Sequence, residues 1–164
     1  MLVDSHCHLD RLDLTAHDGS LDAALDAARA RGVGHFLCIG VSADNASAVK
    51  SLTERYADVD CSIGVHPLDL EPTSQPALDW LLSELQHPHA VAIGETGLDY
   101  HYEPEAAELQ QQSFRLHLEA ARLTGKPVIA VGSVGLETQF RSEKRGQVIA
   151  PAPIDRVVEQ FEAG

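Results

Sequence analysis

Basic side chains are scarce: 12 Lys and Arg stand against 25 Asp and Glu, a formal net charge of −13. Broad electrostatic attraction to nucleic acid runs on basic surface and counterion release, so it is not expected here. Most of the acidic residues read as solvated helix faces. Apolar runs are short, none near the roughly 20 residues of a membrane span. Met1 to His6 carry neither a basic stretch nor a long apolar segment, so no secretory signal is expected and cytoplasmic residence is the default. The cysteines are Cys7, Cys38 and Cys61, an odd number without a Cys-x-x-Cys pair, which argues against a disulfide framework or a zinc ribbon. Cys38 and Cys61 sit in apolar runs and read as small buried hydrophobes. No Gly-x-Gly-x-x-Gly follows the first apolar run, which disfavours a dinucleotide-binding sheet.

What is present is a recurring unit. Short, often β-branched runs (Leu2 to His6, His35 to Ile39, Cys61 to His66, Ala90 to Gly94, Pro127 to Val131) read as buried parallel strands. Between them lie helical patterns. Ser20 can cap a helix with Leu21, Ala24, Leu25 and Ala28 on one face; Asp44 to Tyr56 and Leu78 to Leu85 are two more. Pro104 to Leu123 is the strongest, ending at Gly125. Strand and helix alternating at this spacing predict an α/β fold with a parallel sheet, either open and doubly wound or closed as a barrel.

Candidate chemistry collects at strand ends. The first strand runs into His6-Cys7-His8, and alternate residues of an extended chain point to one side, so both imidazoles could face one ion. His87-Pro88-His89 has the same spacing but precedes its strand; it is expected at the opposite face as a loop with two solvated histidines. The fourth strand ends in Gly94-Glu95-Thr96-Gly97-Leu98-Asp99. There Glu95 could bridge two metals, or equally cap a helix or pair with a base. His66, in Gly64-Val65-His66-Pro67, could touch substrate, or be an ordinary turn histidine.

Taken together, Asp4-Ser5-His6-Cys7-His8-Leu9-Asp10, Gly64-Val65-His66-Pro67 and Gly94-Glu95-Thr96-Gly97-Leu98-Asp99-Tyr100 resemble the TatD-like metal-dependent hydrolases, the TatD deoxyribonuclease family. So does the helix with Gln111, Phe114 and Leu118 that leads into Gly125-Lys126-Pro127-Val128-Ile129. The order and spacing hold over roughly the first 130 residues. The resemblance implies a TIM-type barrel of the amidohydrolase group. It implies hydrolysis of phosphodiesters, typically DNA, with divalent ions (Mg, Zn or Mn). By position, His6 and His8 would hold one metal, Glu95 would bridge to a second and be catalytic, and His66 and Asp99 would meet the substrate.

The pattern then breaks. Where the family carries a second-metal histidine, followed by a residue and an arginine, the chain reads Val131-Gly132-Ser133. No histidine follows His117, and Asp155 is the only later aspartate, in a context that does not match. A full barrel takes about 250 residues. The expected architecture is therefore a partial TIM-type (β/α) barrel of about five parallel strands with helices over residues 1–131, without a C-terminal half. Residues 132–164 read as a divergent tail containing an amphipathic piece from Ile154 to Phe161. On this reading a frameshift or truncation falls near codon 130, one ion binds rather than two, activity is impaired, and open edges at the first and fifth strands promote self-association. Two alternatives stand beside it: a non-catalytic remnant, and a hydrolase of amides or esters on the same barrel, since the acidic balance favours a small or neutral substrate over duplex DNA.

Overall fold

The structure, a computed structural model, describes residues 1–73, 75–132 and the backbone of 148–150. The expected tail features, among them the Ile154 to Phe161 piece and Asp155, lie outside the described residues.

Five parallel strands lie side by side in chain order: β1 (Leu2–Cys7), β2 (Val33–Cys38), β3 (Val59–Ile63), β4 (Ala90–Leu98) and β5 (Val128–Gly132). Four helices connect them: α1 (Leu21–Ala30), α2 (Ala46–Arg55), α3 (Leu78–Glu84) and α4 (Ala107–Thr124). The sheet curls into half a barrel. Local chemistry sets the ends of the helices. Ser20 Oγ accepts from the Ala23 N–H at 3.2 Å and starts α1; Gly125, at φ +70°, ends α4 in the left-handed conformation.

Two apolar layers flank the sheet. On its outer side Leu25, Val49, Leu81, Phe114 and Leu118 from the helices pack on Phe36, Cys38, Val59, Cys61, Ile63, Ile93 and Val128. Each large aliphatic chain enclosed there contributes about 1.5–3 kcal/mol. On the inner side Ile39, Val41, Ala92 and Ile129 form a smaller cluster. Leu37, Ile39 and Val41 alternate with the outward Phe36 and Cys38, as the pleat of a strand requires. Cys38 and Cys61 are fully buried, as their surroundings predicted.

Two expectations change. β3 leaves the sheet at Ile63, so Gly64, Val65 and His66 form a loop rather than the end of the strand. The fifth strand is not an open edge along its length, because a sixth strand, β6 (Val148–Ala150), pairs antiparallel with Val128–Ala130. An edge strand exposes a row of unpaired N–H and C=O groups, which β6 satisfies there. Among the described residues β1 pairs with β2 alone. No helix among them is long and apolar enough to cross a membrane.

Candidate metal centre at the mouth of the half-barrel

β1 delivers His6 and His8 to the C-terminal mouth on one side of the strand, while the intervening Cys7 packs into the outer layer. The two rings stand edge to face with centroids 5.2 Å apart. Glu95 arrives from β4, and its Oε2 lies 3.8 Å from His6 Nε2. One ligand atom from each of His6, His8 and Glu95 can be chosen so that all lie within 4.8 Å of one another. Glycines allow this convergence. A Cβ on Gly64 would lie 2.6 Å from the Gly94 carbonyl carbon, and one on Gly40 would lie 2.5 Å from the Ser62 carbonyl oxygen. The backbones at the ends of β2, β3 and β4 thus close on one another, and the Glu95 N–H reaches the Gly40 carbonyl at 2.7 Å.

The environment disfavours charge on Glu95 and His6. Burial pushes the Glu95 carboxyl upward, and the nearby Asp69 charge adds to the shift. Burial pushes the His6 imidazole downward; His8 acts in the same direction and Asp4 against it. His8 Nδ1 is enclosed without a hydrogen-bond partner among the described residues, an atom whose desolvation nothing offsets. Imidazole nitrogens and a carboxylate form a donor set for a borderline divalent ion; a cation there would favour the ionised form of Glu95, could engage the unpartnered His8 Nδ1, and would bind the deprotonated His6 ring that burial already favours. The residues fit a metal.

His66 and Asp99 lie at the same mouth. The His66 N–H donates to the Val41 carbonyl at 2.7 Å, and His66 Nδ1 accepts from the Leu68 N–H at 3.2 Å. The proton of the neutral ring therefore sits on Nε2. Burial lowers the His66 pKa, with Asp69 and Asp99 opposing that shift and His8 adding to it. Asp99 Oδ1 accepts from the N–H groups of His101 and Tyr102, both at 3.1 Å.

The His87 and His89 pair does sit at the opposite end, before β4, but not as two solvated rings. His89 Nδ1 and His35 Nε2 each lie 2.8 Å from the Asp60 carboxylate, and His87 Nε2 lies 3.8 Å from Glu54. Their carboxylate neighbours come from β3 and α2, which a local reading of His-Pro-His does not reach. Val131 occupies the C-terminal end of β5, in register with Gly97 and two residues beyond the inward Ile129. An aliphatic chain there offers no donor atom.

Three residues at the site escaped sequence reasoning. The Asp69 charge reaches both Glu95 and His66. Gln110 and His117 are fully buried on α4 and hold neighbouring loops by their backbones. For the latter pair a signal existed: polar residues spaced i and i+7 on the face that also carries Phe114 and Leu118.

A family model described as TatD related DNase matches residues 3–130. The chain is 40% identical over 129 residues to YcfH of Escherichia coli K12, covering 78% of this chain and 48% of that protein. It is 30% identical over 129 residues to YabD of Bacillus subtilis, covering 79% and 49%. Both carry the name metal-dependent hydrolase. Among solved structures, YjjV, a TatD homolog from Escherichia coli K12, superposes with a TM-score of 0.68 at 29% identity over 79% of this chain and 50% of that one. A TatD family hydrolase from Entamoeba histolytica gives 0.59 at 22% identity over 75% and 46%, a likeness of fold alone. The chain spans about half the length of the curated relatives it matches.

Proposed function

The chain belongs to the TatD related DNase family, and from that premise we propose that it is a metal-dependent hydrolase whose site is shaped for phosphodiesters, DNA among them. The observation that carries the reading is the convergence of His6, His8 and Glu95 within 4.8 Å at the C-terminal mouth of the sheet, the end at which barrel enzymes place their chemistry. These three residues would hold the ion. Two imidazoles with one carboxylate suit zinc or manganese better than magnesium, which prefers oxygen. When bound, a divalent ion supplies Lewis acidity toward a phosphoryl oxygen and lowers the pKa of its water.

The remaining roles belong to the protein. Glu95 is the one member of the trio that can both ligate and accept a proton as a carboxylate, which makes it the catalytic candidate. His66, with its proton on Nε2, can donate a hydrogen bond to an anionic oxygen of the substrate. Asp99 is fixed by two backbone N–H groups and can orient the leaving side. Val131 offers no donor, so one ion is proposed rather than two. That same residue favours a second reading, in which this chain holds an ion without turnover.

The test is turnover by the chain with Zn2+ or Mn2+ of four substrates in parallel: a nitrophenyl phosphodiester, a single-stranded oligonucleotide, a nitrophenyl ester and an anilide. Phosphodiester cleavage that is lost in Glu95→Ala supports the reading. Cleavage of the ester or anilide alone points to the other chemistry of this barrel. No turnover with either metal supports the non-catalytic reading.

A further inference from the structure

Helix α4 carries polar side chains into the layer where it packs on the sheet. Gln110 and His117 have no solvent exposure. Burying an amide or an imidazole costs free energy unless its hydrogen bonds are made, and an apolar chain of similar shape would be as stable or more so. Here the bonds are made, and apart from one within α4 they go to loops rather than to the sheet. Gln110 Oε1 accepts from the Asp99 N–H at 2.7 Å, while Nε2 donates to the carbonyls of Asp99 at 3.1 Å and Glu103 at 3.2 Å. His117 Nε2 accepts from the Val65 N–H at 3.0 Å, and Nδ1 donates to the Ser113 carbonyl at 2.7 Å. Both nitrogens of the neutral ring are thereby used, in one fixed tautomer.

The two grips lie seven residues apart, about 10 Å along one helix. One holds the residue before His66, in the loop leaving β3. The other holds Asp99, in the loop leaving β4. Neither Val65 nor Asp99 belongs to a strand, so the sheet ladder does not fix them. We propose that Gln110 and His117 are positioning residues: through Val65 and Asp99 they set the places of the two side chains that meet an anionic substrate, and α4 ties the two loops into one unit. The proposal rests on the functional reading above insofar as His66 and Asp99 are taken to face substrate. It adds that two residues remote from the reacting atoms govern substrate engagement.

The experiment compares His117→Leu, which removes the acceptor, with His117→Gln, whose amide oxygen can replace Nε2, and adds Gln110→Leu, all in the full chain. The first readout is the His66 ring resonance in metal-free protein. The second is KM and kcat for a nitrophenyl phosphodiester with Mn2+. His117→Leu is expected to shift and broaden the His66 resonance and to raise KM about tenfold or more, with Zn2+ affinity and far-UV circular dichroism unchanged. His117→Gln is expected to restore both readouts, and Gln110→Leu to raise KM without moving the His66 resonance. A folded His117→Leu with an unaltered His66 resonance overturns the proposal, and so does a His117→Gln that behaves like it. If His117→Leu does not fold, His117→Asn takes its place, since the shorter amide can keep the Ser113 bond but falls short of the Val65 N–H: a displaced His66 resonance with a raised KM supports the proposal, an unaltered resonance overturns it, and an unchanged KM in Gln110→Leu removes Gln110 from it. If the unmodified chain turns over no phosphodiester, the functional reading falls, and the resonance arm still decides whether His117 places His66.

Discussion

His6 Nε2 stands 3.8 Å from Glu95 Oε2, although two strands separate β1 from β4. Strands lie about 4.8 Å apart, so a flat sheet would hold these residues roughly 14 Å from each other. Sheet curl and side-chain reach together close that gap. The approach depends on bare backbone at Gly40, Gly64 and Gly94, where the strand ends pass too closely for any side chain.

Gly64→Ala tests that dependence. Its Cβ would lie 2.6 and 2.7 Å from backbone atoms of Gly94, which cannot swing aside as a flexible chain could. We expect a loss of about 1–3 kcal/mol in denaturant unfolding. We also expect about tenfold weaker Zn2+ binding, because Gly94 carries Glu95 with it.

Val131→His should act in the opposite direction. Val131 follows the inward Ile129 at the mouth end of β5, and a histidine there would add a donor to an incomplete set. Zn2+ affinity by calorimetry is expected to rise at least about tenfold. No gain would place the Val131 side chain away from the ion.

Acid should weaken the fold through His117. Complete burial pushes this imidazole down from 6.5 to about 4, while the unfolded chain keeps the ordinary value. A depressed folded-state value means that the unfolded state binds the extra proton. The contribution is therefore complete above pH 6.5 and drains away as pH falls toward 4, by about 3 kcal/mol in all. His6 and His66, also lowered by burial, act in the same sense. Urea unfolding at pH 7.5, 6 and 5 should show the decline, and His117→Gln should flatten it.

Among the described residues β1 pairs on one edge only, and we expect its other edge to drive self-association. Leu2 is 62% and Val3 54% exposed beside backbone groups that pair on one side only. Sedimentation velocity is expected to show concentration-dependent association that Val3→Lys reduces. The substitution should change monomer stability by no more than about 0.5 kcal/mol, as an exposed site allows.

The strand–helix alternation was legible because buried parallel strands and amphipathic helices leave strong local patterns, and Ser20 and Gly125 mark real ends. His6, His8 and Glu95 were legible because each follows an apolar run. The loop position of His66 was not, since β3 departs where Gly64 meets Gly94, a contact between residues thirty apart. The grips of Gln110 and His117 were hidden for the same reason: their partners, Asp99 and Val65, lie 11 and 52 residues away. The antiparallel pairing of β6 with β5 was likewise hidden, because a three-residue strand carries no periodicity to read.

Calorimetric titration of the metal-free chain with Zn2+ tests most directly whether His6, His8 and Glu95 hold one divalent ion. One site per chain is expected, lost or weakened more than about 100-fold in Glu95→Gln, since removing a ligand costs more than removing its support. Binding of equal strength in Glu95→Gln, or no binding by the unmodified chain, would contradict it.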